Sequence, residues 1–107
     1  MNEISIVEKT RLFDFYGELL TGHQQEIYEA VVFNDMSLSE AAEAYHMTRQ
    51  GIHDILKRCD KTLVGYEEKL HMVERYRKIK KEVRELLKTA DEHTSAALHK
   101  ILEDLDS

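Results

Sequence analysis

Arg49, Gln50, His53, Lys57 and Arg58 follow one another at helical spacing, so a helix through them sets them along one side. An Arg guanidinium can donate two parallel bonds to guanine, and a Gln amide can pair with adenine. His53 can reach a base or a phosphate. Lys57 and Arg58 suit phosphates, which fix register rather than sequence. Asp54 opposes this use, although it can accept from cytosine or pair with Arg58 four residues on. The chemistry these residues suit is nucleic-acid contact; the plain alternative is a solvated polar helix face.

Such a face must be held out by neighbouring elements, and residues 37 to 58 supply them. Ser37 and Glu40 form the capping box Ser-x-x-Glu at a helix start, with Met36 and Ala41 placed as a hydrophobic staple. Ala42 is small where two helices would approach. Tyr45, Met47, Ile52 and Ile55 fall at interior positions. Thr48 caps a second helix, and its hydroxyl joins the candidate contact set. The pattern is a helix-turn-helix, whose second helix usually enters the DNA major groove. The turn carries His46 rather than Gly; His is among the residues enriched at positive φ. Gly51 lies early in the second helix, where it costs roughly 1 kcal/mol relative to Ala. It invites a close approach of another backbone, from the first helix or from DNA.

The chain has 107 residues, four Gly and no Pro, which fits a small all-helical protein with one modest core. No apolar run approaches the roughly 20 residues that span a bilayer. The start, MNEISIVEKTRLF, carries Glu3 and Glu8 and no apolar signal core, so a cytoplasmic location is expected. Cys59 has no second cysteine to bridge to and reads as a half-buried packing residue. The six His residues lack ligand spacing with Cys or Asp, and no nucleophile elbow or phosphate loop is present. Neither an enzyme, a metal site nor any cofactor is expected.

The net charge of −6 excludes a wholly electrostatic nucleic-acid binder, but the charge is uneven. Residues 1–48 carry only Lys9 and Arg11 against nine acids. Residues 49–61 carry four bases and two acids, and residues 75–88 seven bases and two acids. Within the second zone Arg75, Arg77, Lys78, Lys80, Lys81 and Arg84 admit three readings. They can be the solvated side of a helix, a strip for nucleic-acid phosphates, or a site for an acidic protein.

Along the chain, a first helix is expected from about Glu3 to Tyr16, with Ile4, Val7, Leu12, Phe13, Phe15 and Tyr16 on its apolar side and Gly17 weakening its end. Thr21 and Gln24 form a second capping box. Ile27, Tyr28, Val31 and Val32 give the next helix a buried face, and Asn34-Asp35 ends it. The second helix of the helix-turn-helix should end near Val64, at Gly65. From Tyr66 an apolar residue recurs every three or four positions to Leu87, predicting one long helix; its 23 residues to Lys88 would span about 35 Å. Thr94 is placed to cap a short last helix bearing Leu98, Ile101, Leu102 and Leu105. The organisation expected is a helix-turn-helix domain over 1–64 and a long-helix extension over 65–107. So long a stripe exceeds what a small domain can cover, which predicts a homodimer through residues 66–105; the alternative is a monomer in which the last helix folds back along the long one.

Residues 20–62 resemble region 4 of bacterial sigma factors, through Leu-Thr-x-x-Gln, Ser-Leu-x-Glu-x-Ala and Thr-Arg-x-x-Ile. That implies promoter-type DNA reading by the second helix and contact with RNA polymerase. Phe15-Tyr16-x-x-Leu-Leu-Thr, Thr-Arg-Gln-x-Ile-x-Asp and Tyr66-Glu-Glu-Lys-Leu-His resemble a narrower group, the YlxM family, from about residue 8 to about residue 90. Its members are helix-turn-helix proteins encoded beside signal-recognition-particle genes in Gram-positive bacteria. The resemblance implies a regulatory or accessory role in the signal-recognition-particle pathway and no catalytic residue. His46 and Gly51 depart from the Asn and Ala expected there.

Overall fold

The computed structural model describes residues 4–106, in which all regular structure is helical. Glu3, the expected start of the first helix, lies outside the described residues. The order is α1 (Ile6–Tyr16), a 3₁₀ turn (Gly17–Leu19), α2 (Gly22–Tyr28) running into a π turn (Glu29–Phe33), α3 (Leu38–Ala44), α4 (Arg49–Leu70), α5 (Met72–Leu87) and α6 (Glu92–Asp106). The chain divides into two compact units, residues 1–70 and 71–107.

The first unit is built on local capping. Ser5, Thr21 and Ser37 each accept a bond from the backbone N–H three residues on, at Glu8, Gln24 and Glu40. Both expected capping boxes are complete, because the Gln24 and Glu40 side chains return to the cap backbone N–H. Between α1 and α4, Tyr16 and Leu12 are buried, the Tyr16 hydroxyl donates to Glu67 Oε1 at 2.6 Å, and its ring stacks on Tyr66. Phe13, Tyr28 and Phe33 form an aromatic cluster with centroids 5.2 to 5.8 Å apart. Val7, expected on the apolar side of α1, is instead 69% exposed: it falls on the side of the helix away from Leu12 and Tyr16. A Cβ on Gly17 would come to 3.0 Å from the Phe13 ring, so any side chain there would require that ring to shift.

Two helix boundaries differ from expectation. Gly65 neither breaks nor caps a helix; α4 continues through it to Leu70. Nothing lies within 4 Å of where its Cβ would be, so the residue costs helix propensity and little else. The single long helix from Tyr66 is in fact two, α4 ending at Leu70 and α5 beginning at Met72. They are separated by His71, whose φ of 55° and ψ of 29° are left-handed. One such residue leaves the apolar spacing unbroken, which is why the interruption is silent in the pattern.

The second unit is an antiparallel hairpin of α5 and α6. Val73, Tyr76 and Val83 of α5 and Leu98 of α6 are its buried residues. The Tyr76 hydroxyl donates to Asp106 at the far end of α6, and Lys80 Nζ bonds both, at 3.0 Å to Tyr76 and 3.3 Å to Asp106. Asp91, not Thr94, caps α6: its carboxylate accepts the Thr94 N–H at 2.7 Å. Asp is among the strongest N-caps, so the helix starts three residues earlier and runs 15 residues rather than being short.

Candidate nucleic-acid interface

The helix-turn-helix is assembled as its residue types require. α3 ends at Ala44 with Tyr45 as its C-cap, and His46 takes a φ of 55°, the left-handed conformation expected at the turn. Thr48 then caps α4, accepting the Gly51 N–H at 2.9 Å. Ile27, Ala41, Ala42 and Ile52 form the core between α2, α3 and α4, with Met36, Leu38, Tyr45, Met47 and Ile55 packed on it. Alanine at 41 and 42 lets the two helices close on each other. Gly51 packs closely within this joint. A Cβ there would meet Thr48 Oγ1 at 3.1 Å and Met47 Cε at 3.3 Å, so what it approaches within the chain is the side chains of its own turn and not a second backbone.

Behind the turn, α4 is fixed by Asp60. Its Oδ1 accepts from the Tyr28 hydroxyl at 2.7 Å, and its Oδ2 lies 3.4 Å from Lys9 Nζ. One carboxylate thus ties α4 to both α1 and α2. Burial first, then the Asp60 bond and charge, push the Tyr28 hydroxyl far above its ordinary range. Next to it Cys59 is wholly buried, more so than expected, and desolvation pushes its thiol up to about 11. A thiol so placed is a packing group and a poor nucleophile. At the turn, the Tyr45 hydroxyl is raised by its desolvation and by the Glu26 carboxylate, and its ring meets the edge of His23 at 6.0 Å.

On this support, Arg49, Gln50, Lys57 and Arg58 are exposed and His53 is partly so. Gln50, His53 and Lys57 share one side of α4, with Arg49 and Arg58 toward its two edges. Gln50 is not free: its Nε2 donates to Asp54 Oδ1 at 2.9 Å, so Asp54 bonds Gln50 where the sequence suggested Arg58. His53 Nδ1 is covered, lacks a hydrogen-bond partner among the described residues, and lies 3.9 Å from Asp54 Oδ1. Thr48 contributes its oxygen to the cap. Lys61, exposed one turn beyond Lys57 on the same side, extends the cationic row. The four-residue step from Lys57 would have located it in the sequence.

The second basic zone sorts differently. Arg75, Arg77, Lys78, Lys81 and Arg84 are exposed on α5. Lys80 is not: it turns in toward Tyr76 and Asp106, which hold it charged and raise its pKa, and its ammonium lies 4.9 Å from the Tyr76 ring centroid. By helical phase Arg77, Lys81, Arg84 and Lys88 form one flank of α5, while Arg75 falls on the opposite side. No three His, Cys, Asp or Glu side chains gather where they could hold a metal among the described residues. No described helix is long and apolar enough to cross a membrane.

A family model described as "Putative helix-turn-helix protein, YlxM / p13 like" (UPF0122) matches residues 5–104. A UPF0122 protein of Desulforamulus reducens is 44% identical over 84 residues, covering 78% of this chain and 72% of the relative. One from Oceanobacillus iheyensis is 41% identical over 96 residues, covering 89% of this chain and 90% of the relative. A Thermoanaerobacter relative is 49% identical over 70 residues, 65% of this chain and 60% of the relative.

Proposed function

The chain belongs to the UPF0122 family of helix-turn-helix proteins, and we propose that it binds DNA through α4 as a regulatory or accessory protein of the signal-recognition-particle pathway. The DNA part is carried by one observation: a cationic and amide-bearing row on α4, held outward by a capped turn and by Asp60 behind it. Arg49 reads a base, Gln50 and His53 add contacts, and Lys57, Arg58 and Lys61 take phosphates. Thr48 orders the helix start. The pathway part rests on the YlxM resemblance alone. A homodimer fits this reading, because two linked recognition helices address two half-sites.

Fluorescence anisotropy of the purified chain tests the reading, against its own operon's upstream duplex, a scrambled duplex and the particle RNA at two salt concentrations. The expected result is a preference for the upstream duplex that survives the higher salt. Arg49→Ala should weaken that complex by roughly 1–3 kcal/mol, and equal affinity of variant and parent would end the assignment.

The cationic flank of α5 favours a second reading, an interaction module that holds particle RNA, particle protein or RNA polymerase without reading DNA. Replacing Arg77, Lys78, Lys81 and Arg84 by Gln would then abolish partner binding, and retained binding would refute it. Lys80 is left in place because its bonds to Tyr76 and Asp106 belong to the hairpin.

A further inference from the structure

We infer that the outer face of the α5–α6 hairpin is a self-complementary surface that docks a second copy of this chain about a twofold axis at Ile79. The inference rests on the dimeric part of the reading above and assigns it a face and a register.

Met72, Ile79 and Leu86 stand seven residues apart, two helical turns each, so they form a straight line along α5. They are 45%, 42% and 57% exposed, although they are among the most apolar side chains of the unit. By helical phase this line lies on the opposite side of the buried residues Val73, Tyr76 and Val83 from the cationic flank. The antiparallel return of α6 adds Ile101, 43% exposed, to the same face. A stripe of this kind at strict heptad spacing is the seam by which helices associate.

The face fits its own copy. Ile79 lies midway between Met72 and Leu86, so an antiparallel twofold contact centred on it sets Met72 of each copy against Leu86 of the other. Arg75 stands four residues before Ile79 and Glu82 three residues after it, both on the same side of the line. The same axis brings each Arg75 beside Glu82 of the partner subunit, with an axial mismatch of about 1.5 Å, well within the reach of an Arg side chain. Neither side chain has an ion pair within the chain among the described residues. An isologous contact requires this pairing of unlike charges at matched distances from the axis. A parallel arrangement would instead set Arg75 against Arg75.

Sedimentation velocity of the full chain over a wide concentration series tests the inference. The parent chain is expected to dimerise. Ile79→Glu, which changes an exposed side chain and so spares the hairpin fold, should weaken the dimer by about a hundredfold or more, since the axis places the new charge in the contact twice. Arg75→Glu and Glu82→Arg should each weaken association, and the double reversal should restore it. Under mild oxidation Ile79→Cys should cross-link to itself and Lys81→Cys, on the cationic flank, should not; Cys59 is buried and stays silent. A dimer unmoved by Ile79→Glu overturns the face while leaving the dimer standing. A double reversal that fails to restore association overturns the twofold register. A parent chain that stays monomeric throughout overturns the dimer itself.

Discussion

The Tyr28 hydroxyl bonds Asp60 Oδ1 at 2.7 Å between residues 32 positions apart, and this bond seats the recognition helix on the rest of its unit. Tyr28 is fully buried, so losing its acceptor strands a hydroxyl. Tyr28→Phe should cost about 1–2 kcal/mol and Asp60→Ala about 2–3 kcal/mol. The double variant should cost about 1 kcal/mol less than the two added together, because it leaves nothing stranded. Urea denaturation of the four proteins measures the cycle, and strict additivity would deny the coupling.

Alkali should find the same region. The folded pKa values of Tyr28 and Cys59 are both raised, so the stability they contribute is complete below their unfolded values and lost as pH rises. For Cys59 the loss runs from its ordinary 9.0 to about 11. For Tyr28 it begins near 10 and continues upward. Stability measured against pH should therefore decline from about pH 9, and Tyr28→Phe should flatten the part above pH 10. Native Cys59 should also resist alkylation at neutral pH until the unit unfolds.

Much of this fold is legible in the sequence, and what is legible is local. The caps at Ser37, Thr21 and Thr48 are contacts three residues long, so residue type and spacing are enough to find them. His46 was identifiable because few residues other than Gly accept its conformation. The misses are contacts with distant partners or contacts in competition. Lys80 turns in because Asp106, 26 residues on, comes back beside it. Helical spacing puts Gln50 and Asp54 on one face but does not say that they bond each other. Thr94 lost the cap to Asp91 because two good caps stood three residues apart and the carboxylate won. The recognition face was legible as a list, while Asp60, which holds that face in place, gave no signal of its own.

The helical glycines give a pair of opposite expectations. Gly65→Ala places a methyl in open space within α4 and should stabilise by about 0.5–1 kcal/mol. Gly51→Ala has the same propensity gain but must displace Met47 Cε and Thr48 Oγ1, so its net effect should be smaller than that of Gly65→Ala. Thermal melts of both variants decide it; a larger gain at 51 than at 65 would show the turn to be looser than its contacts imply.

At the other end of the chain, Asp91→Ala should destabilise the hairpin, because it removes the acceptor that caps α6. The Asp91 carboxyl is held below its ordinary value by bonds from the Thr94 backbone and side chain. A depressed folded pKa gives stability that is present above the ordinary 3.8 and lost as pH falls through the folded value. The gap between parent and variant, followed by circular dichroism, should therefore close in strong acid. A gap that persisted there would assign the loss to packing instead of capping.

The caps also bear on how fast the chain finds its structure. Ser5, Thr21, Ser37, Thr48 and Asp91 each mark a helix start from within four residues, so the nascent chain carries those boundaries before any distant segment has arrived. Helical chains with such short-range wiring fold in microseconds to milliseconds. Helix α5 begins differently, behind the left-handed His71, whose imidazole lies 3.1 Å from the Glu74 carboxylate three residues on. Its boundary turns on one residue that must hold a left-handed backbone, so His71 decides where α4 stops and α5 begins.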